Sequence, residues 1–283
     1  MGNDQSNKIN DMVDGLDRIK IRPCVCNTCM KAKITRTVNR KPMTKVHAPG
    51  DRLHIDLFGP LPCKSLQGNR IMITYTDQNS KMVDVDFLPN KKADSILNSL
   101  KRYIVRSETT FRKQRKEFKL RCVHCDRGKE FLNHSFSKFL QAMRCELECT
   151  VGYMPEANGI AERCNRIILE KGQALRIESG LPEEFWEFAF TTASYLRNRG
   201  PVSNRSITPW EAWFGERPSV AHLRVFGCPV VVHIPKEKRT DAGSSGKLAI
   251  KGWDGIFVGY NNLTPTEYIV WDPLTKKSRK TRH

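Results

Sequence analysis

The sequence predicts an α/β fold with a mixed sheet, followed by a small all-β unit. Three observations predict it. Three short strand-like runs follow one another closely between residues 51 and 89. Helical spacing then alternates with short strand-like runs up to about residue 180. After Pro218 the pattern changes to short β runs around a Gly/Ser/Lys loop at 239–247. Three strands close in sequence pair as an antiparallel meander, and strands joined through helices run parallel.

Each element has a local reason. In "DRLHIDLFGP", Leu53, Ile55 and Leu57 alternate with His54 and Asp56, which puts Asp56 on the opposite face of a strand. "NRIMITYTD" and "KMVDVDFLP" read as two further strands across a short polar turn. "KKADSILNSLKRYIV" has helical spacing at Ile96, Leu100 and Ile104, and a very basic stretch of solvated helix and loop follows to residue 121. A short strand ends at "CVHCD", "RGK" turns, "EFLNHSFSKFLQAM" is helical, and "CELECTV" is a strand. "LPEEFWEFAFTTASYLRNRG" reads as a capped amphipathic helix ending at Gly200. "TPWEAWFGERP" is a short helix with Thr208 as N-cap and Pro209 at its first position. "RVFGCPVVVHIP", "WDGIFVGYN" and "EYIVWDP" are the short strands of the last unit.

A length of 283 residues, 39% of them hydrophobic, suffices for a core and suggests about two domains. The formal charge of +18 points first to nucleic acid. No apolar run approaches the roughly 18 residues of a membrane span, and the N-terminal residues lack a secretory pattern. Seven of the ten cysteines are scattered singly and read as reduced packing residues. Cys24, Cys26 and Cys29 differ: Cys26 and Cys29 form a CxxC knuckle suited to zinc. Structural zinc takes four ligands, and the first histidine is His47, so a metal-free turn and a zinc knuckle both stay open.

Three acids occupy comparable places. Asp56 lies in the first strand, Asp126 where a later strand meets a Gly turn, and Glu162 near the start of a helix in "YMPEANGIAERCNR". That helix carries an apolar stripe at Ile160, Cys164, Ile167 and Ile168, with Glu162 opposite and Asn165 and Arg166 assigned to its side. Taken alone, Glu162 and Arg166 are an i,i+4 surface pair, Asp126 is a turn residue, and Asp77, Asp84 and Asp86 compete as acids near strands. Together, clustered carboxylates bind divalent cations through oxygen, and two ions about 3.5–4 Å apart can activate a nucleophile and stabilise a leaving oxygen.

"LHIDLFGP", "CDRGKEF" and "PEANGIAERCNR", in this order, resemble the catalytic core of copia-type retrotransposon integrases of the retroviral integrase superfamily. The resemblance continues through "GLPEEFWEFAFTTASYLRNR", "TPWEAWFGERPSVAHLRVFGC" and "FVGYN", covering roughly residues 20 to 275. It implies a partial pre-integrase zinc module and basic linker at 1–45, a ribonuclease H-like catalytic core at 46–217, and an SH3-like β domain at 218–283. It carries the acidic triad onto Asp56, Asp126 and Glu162, with Mg²⁺ or Mn²⁺ as cofactor. It places Tyr153, Asn158, Asn165 and Arg166 toward DNA, with Arg127 and Lys129 as added phosphate contacts. In "PEANG", Glu156 and Ala157 stand where relatives often have two glutamines, which should weaken donor binding. The implied activity is processing of element DNA ends and strand transfer into target DNA. The implied partners are double-stranded DNA and further copies of the chain, in the nucleus after a cytoplasmic particle stage. The alternative is a catalytically silent or domesticated remnant that binds nucleic acid.

Overall fold

The computed structural model describes residues 48–149, 159–203, 205–236, 239, 250–261 and 267–282. The chain divides into two compact units, 1–45 and 46–283, and the first lies outside the described residues. The second holds a five-stranded sheet of β1 (Arg52–Phe58), β2 (Ile71–Asp77), β3 (Val83–Leu88), β4 (Cys122–Cys125) and β5 (Glu146–Cys149). Their order across the sheet is β3-β2-β1-β4-β5. The first three form an antiparallel meander, and β1, β4 and β5 run parallel, as the sequence order predicts.

Helices cover both faces. On one, α1 (Ala93–Lys113) and α2 (His134–Ala142) bury Ile96, Leu100, Ile104, Phe136 and Leu140 against Leu53, Ile55, Ile73 and Val123. α1 runs eight residues past Val105, so half of the basic stretch is helical. On the other face, α3 (Gly159–Ser179) and α4 (Trp186–Arg199) place Cys164, Ile168, Trp186, Phe190 and Ala193 on Met72, Val83 and Val85. α3 and α4 approach closely at Gly172, where an added Cβ would lie 2.2 Å from the Phe190 ring.

α4 departs from the expected amphipathic helix. It is buried nearly all round, including Glu187, Ser194, Arg197, Asn198 and Arg199. The reason is a second sheet: β6 (Pro229–His233), β7 (Gly252–Tyr260), β8 (Tyr268–Asp272) and β9 (Lys277–Thr281), antiparallel in that order. Phe188 and Ala189 of α4 pack on Phe226 and Val258, while Tyr195 stacks on Tyr260 with ring centroids 4.2 Å apart. Tyr195 Oη also pairs with His222 Nε2 at 2.7 Å. Arg199 lies over the rings of Tyr195 and of Trp210 in α5 (Pro209–Phe214). A helix between two sheets needs apolar residues on both sides, which "FWEFAFTTASYL" supplies. β9, "KSRKT", lacks apolar alternation because four of its five residues are exposed, and the sequence reading passed over it.

Candidate active site

Asp56 is near the carboxyl end of β1, and Asp126 directly follows the carboxyl end of the parallel β4. Glu162 is in the first turn of α3, which packs on β1 and β2. These elements bring the three acids to one end of the sheet. Asp56 is half-buried, whereas Asp126 and Glu162 are exposed. Burial pushes the Asp56 carboxyl up to about 6, and the charges of Asp126 and Glu162 add to the rise. Hydrogen bonds to its ionised form act the other way: Leu57 N–H donates to Oδ1 at 3.0 Å, and Asn165 Nδ2 donates to Oδ2 at 2.7 Å.

The donor set suits a hard divalent cation, because all three side chains offer carboxylate oxygen. The spacing in this conformation does not form a closed site. Among the described residues, no three His, Cys, Asp or Glu side chains converge closely enough to hold a metal ion. The three are neighbouring carboxylates, and Asp56 senses the charge of the other two. Asp126 is held in its turn by Gly128 N–H, which donates to Oδ1 at 3.1 Å.

Asn165 departs from the expectation of a DNA-facing position on the polar side of α3: it is only 6% exposed and reaches Asp56. The buried face of α3 is Ala161, Cys164, Asn165, Ile168 and Gly172. Asn165 is one residue beyond Cys164, so it falls within the covered arc rather than opposite it. Among the described residues its Oδ1 has no hydrogen-bond partner. Arg166 is exposed and forms no ion pair with Glu162, so the surface-pair reading of Glu162 does not hold here. Arg127 and Lys129 are exposed beside Asp126. Tyr153, Asn158, Glu156, Ala157, Cys24, Cys26 and Cys29 lie outside the described residues.

The sequence reading missed the buried polar row behind Asp56. His54 and His124 are paired across β1 and β4, with rings 4.9 Å apart. His54 Nε2 meets Gln78 Oε1 at 2.9 Å, and burial lowers its pKa to about 4, which keeps it neutral. At the far end of the row Arg52 forms a two-pronged ion pair with Glu148. The signal was available: the alternation that turns Asp56 from the α1 side turns His54 the same way. The competing acids have other duties. Asp77 accepts from Gly50 N–H and from Ser80, Asp84 pairs with Arg106, and Asp86 pairs with Arg102.

Residues 228–283 match the retroviral polymerase SH3-like domain. The retrovirus-related Pol polyprotein from transposon TNT 1-94 of Nicotiana tabacum is 34% identical over 235 residues, which cover 82% of this chain. The chain belongs to the copia-type retrotransposon integrases of the Pol polyproteins. It spans 16% of that relative's length. The transposon Ty1-PR2 Gag-Pol polyprotein of Saccharomyces cerevisiae is 27% identical over 263 residues, covering 90% of this chain and 14% of the relative. The integrase also resembles, in fold, a chain of the simian T-cell lymphotropic virus intasome in complex with PP2A regulatory subunit B56 gamma. That likeness has a TM-score of 0.55 at 13% identity, over 90% of this chain and 84% of that one. The mixed sheet with its flanking helices is thus an integrase-type, ribonuclease H-like core, and the four-stranded sheet is its SH3-like companion. Among the described residues no helix is long and apolar enough to cross a membrane.

Proposed function

We propose that this integrase processes the ends of element DNA and transfers them into target DNA, with Asp56, Asp126 and Glu162 as its catalytic carboxylates. The observation that carries the reading is the shared electrostatic environment of the three. Asp56 is pushed up to about 6, chiefly by burial and in part by Asp126 and Glu162. Such a cluster is unfavourable for folding alone and favourable for holding a cation.

Mg²⁺ or Mn²⁺ bound by Asp56, Asp126 and Glu162 would neutralise their repulsion and supply Lewis acidity toward a phosphodiester. The side chains have separable parts in this scheme. Asn165 orients Asp56 through its Nδ2 and favours the ionised carboxylate. Gly128 N–H fixes Asp126 on its turn. Arg127, Lys129 and Arg166 are exposed nearby to pair with backbone phosphates, and a guanidinium can do so with two donors. The nucleophile is water in end processing and a 3′-hydroxyl in strand transfer, and no protein-linked intermediate is required. Tyr153 and Asn158, just before α3, complete the proposed contacts to the DNA end. Double-stranded DNA is the proposed substrate, further copies of the chain the proposed partners, and the nucleus the proposed place of action after a cytoplasmic particle stage. Zinc at Cys24, Cys26 and Cys29 would be substoichiometric, since three thiols of one short loop leave a fourth ligand unfilled.

The test is cleavage and strand transfer with element-end DNA and Mg²⁺ or Mn²⁺. Metal-dependent joining by the wild type, lost in Glu162→Gln with duplex binding retained, supports the reading. A folded, DNA-binding wild type with no joining activity under either metal sinks it in favour of the binding remnant.

A further inference from the structure

The basic stretch at residues 101–121 is not uniform in what its cations touch. In the first part of α1, Arg102 and Arg106 are paired with Asp86 and Asp84, and Lys101 lies over the Phe139 ring. Past that point Arg112, Lys113, Arg115 and Lys116 are all exposed, and none forms an ion pair among the described residues. Lys119 pairs with Glu117, and Arg121 lies 3.5 Å from Asp51. Glu108 lies one turn before Arg112 in α1, Glu146 opens β5, and Glu216 follows Gly215, which Lys116 Nζ approaches. The macrodipole at the end of α1 accounts for cations at Arg112 and Lys113. It does not account for Arg115 and Lys116, which lie beyond the helix.

Backbone conformation adds an independent observation. α1 ends in a Schellman motif: Arg115 N–H donates to Arg112 C=O, and Lys116 N–H donates to Phe111 C=O at 2.9 Å. α2 ends the same way, with Arg144 N–H on Gln141 C=O and Cys145 N–H on Leu140 C=O. The left-handed position of this motif favours glycine, yet it is Arg115 in one helix, at φ 58°, and Arg144 in the other, at φ 54°. Among the described residues all four non-glycine positions with positive φ are lysine or arginine. Both Schellman ends precede the amino ends of β4 and β5, where Glu146 N–H donates to Arg121 C=O. Asp126 follows the carboxyl end of β4, five residues after Arg121, about 16 Å along the strand.

We propose that this amino-terminal end of the parallel strands, carrying Arg112, Lys113, Arg115, Lys116 and Arg144, is a second phosphate-backbone surface that grips duplex DNA away from the catalytic carboxylates. It rests on the reading of the chain as a DNA-joining integrase and adds where that DNA is held. The residues are too far from Asp126 to touch the reacting phosphate. They hold either a second duplex or the same duplex farther along. The surface reads no bases, since long flexible cations on two helix ends neutralise phosphates without fixed orientation.

Arg115→Gly with Arg144→Gly is the sharpest test. Glycine relaxes both left-handed positions, so the thermal midpoint should hold or rise while DNA binding weakens. Binding of the full chain to a random-sequence duplex of about 20 base pairs is titrated without divalent metal at rising salt. Two lost phosphate contacts should lower the salt slope by about 1.8 and weaken affinity roughly tenfold per contact at 0.1 M salt. Arg112→Gln/Lys113→Gln/Lys116→Gln should lower it further. An unchanged slope in both variants, with circular dichroism intact, overturns the proposal. So does patch-dependent binding of polyglutamate without patch-dependent binding of duplex. Joining by the wild type is scored separately. Joining with an unmoved slope removes this surface and keeps the catalytic reading. A fallen slope with no joining keeps the surface and removes the catalysis.

Discussion

The two acidic clusters of the sheet differ in what surrounds them. Asp84 and Asp86 on β3 each meet an α1 guanidinium at 2.6 Å, and Asp86 also accepts from Ser99. Asp56, Asp126 and Glu162 meet one another's negative charge; Asp56 is braced by an amide and its neighbour's N–H, and Asp126 by the Gly128 N–H, with no guanidinium among these partners. Asp84, Asp86, Asp56 and Asp126 all come from strands or strand-adjacent turns, and Glu162 from the first turn of a helix packed on the sheet. What separates structural acids from catalytic candidates is compensation, not residue type. A compensated carboxylate stabilises the fold when ionised, whereas an uncompensated cluster stores repulsion that a cation can relieve.

The largest expected effect comes from the uncompensated set. Glu162→Gln should lower end cleavage and strand transfer by at least about 10³-fold, more than loss of one transition-state hydrogen bond donor. Fold and duplex affinity should persist, because Glu162 is exposed and off the packed stripe of α3. Kinetics beside a binding titration decides it. Near-normal activity would erase the distinction between the clusters.

The compensated set should respond in the opposite currency. Asp84→Asn leaves the Arg106 guanidinium half-buried without its carboxylate and should cost about 1–2 kcal/mol, between exposed and fully buried pairs. Joining per folded molecule should stay the same. Denaturant unfolding and a specific-activity measurement test it together, and a large loss of activity without destabilisation would assign Asp84 to catalysis.

Much of this contrast was legible before the structure and part was not. Period-two alternation in "LHIDLF" and "VDVDFL" gave the strands and placed Asp56 away from Leu53 and Ile55. The meander and parallel pairings followed from connection lengths. Alternation says which face a residue takes but not what lies opposite, so Asp84, Asp86 and Asp56 looked equivalent until Arg102, Arg106 and Asn165 were located. Asn165 itself was misjudged because the α3 stripe was drawn through Ile160 and Ile167, both only partly buried, while Ala161 and Gly172 mark its true centre. The double-sided burial of α4 was hidden because helical periodicity cannot announce a second sheet arriving from later in the chain. Strand β9 was missed because both its faces are largely wet.

Stability against pH gives a smaller effect. The folded-state pKa of Asp56 is raised to about 6 from 3.8, so the folded protein binds the extra proton between those values. Stability from this group should therefore rise as pH falls from about 6 toward 4, opposite to a salt-bridged aspartate. Asp56→Asn should raise stability at pH 7.5 by about 1 kcal/mol, the repulsion relieved being partly offset by a poorer acceptor for Leu57 N–H. Added Mg²⁺ should raise the thermal midpoint of the wild type and not of Asp56→Asn. A midpoint that falls on neutralising Asp56 would place it with the compensated acids.

The smallest and most discriminating effect concerns Asn165. Its Nδ2 donates to the ionised form of Asp56, so removing it should push the Asp56 pKa higher still. In Asn165→Ala the acid limb of the joining rate should move upward by about half a unit, in line with loss of one charge-assisted hydrogen bond partly replaced by solvent. Stability should change little, because the substitution also removes Oδ1, a buried acceptor with no hydrogen-bond partner among the described residues. Duplex affinity should not change, since the side chain is covered and faces Asp56 rather than solvent. The measurement is a pH–rate profile of wild type and variant beside a duplex titration at fixed salt. A profile that stays in place while duplex affinity drops would return Asn165 to the DNA-facing role its sequence neighbourhood suggests. It would also mean that its contact with Asp56 is broken when DNA is bound.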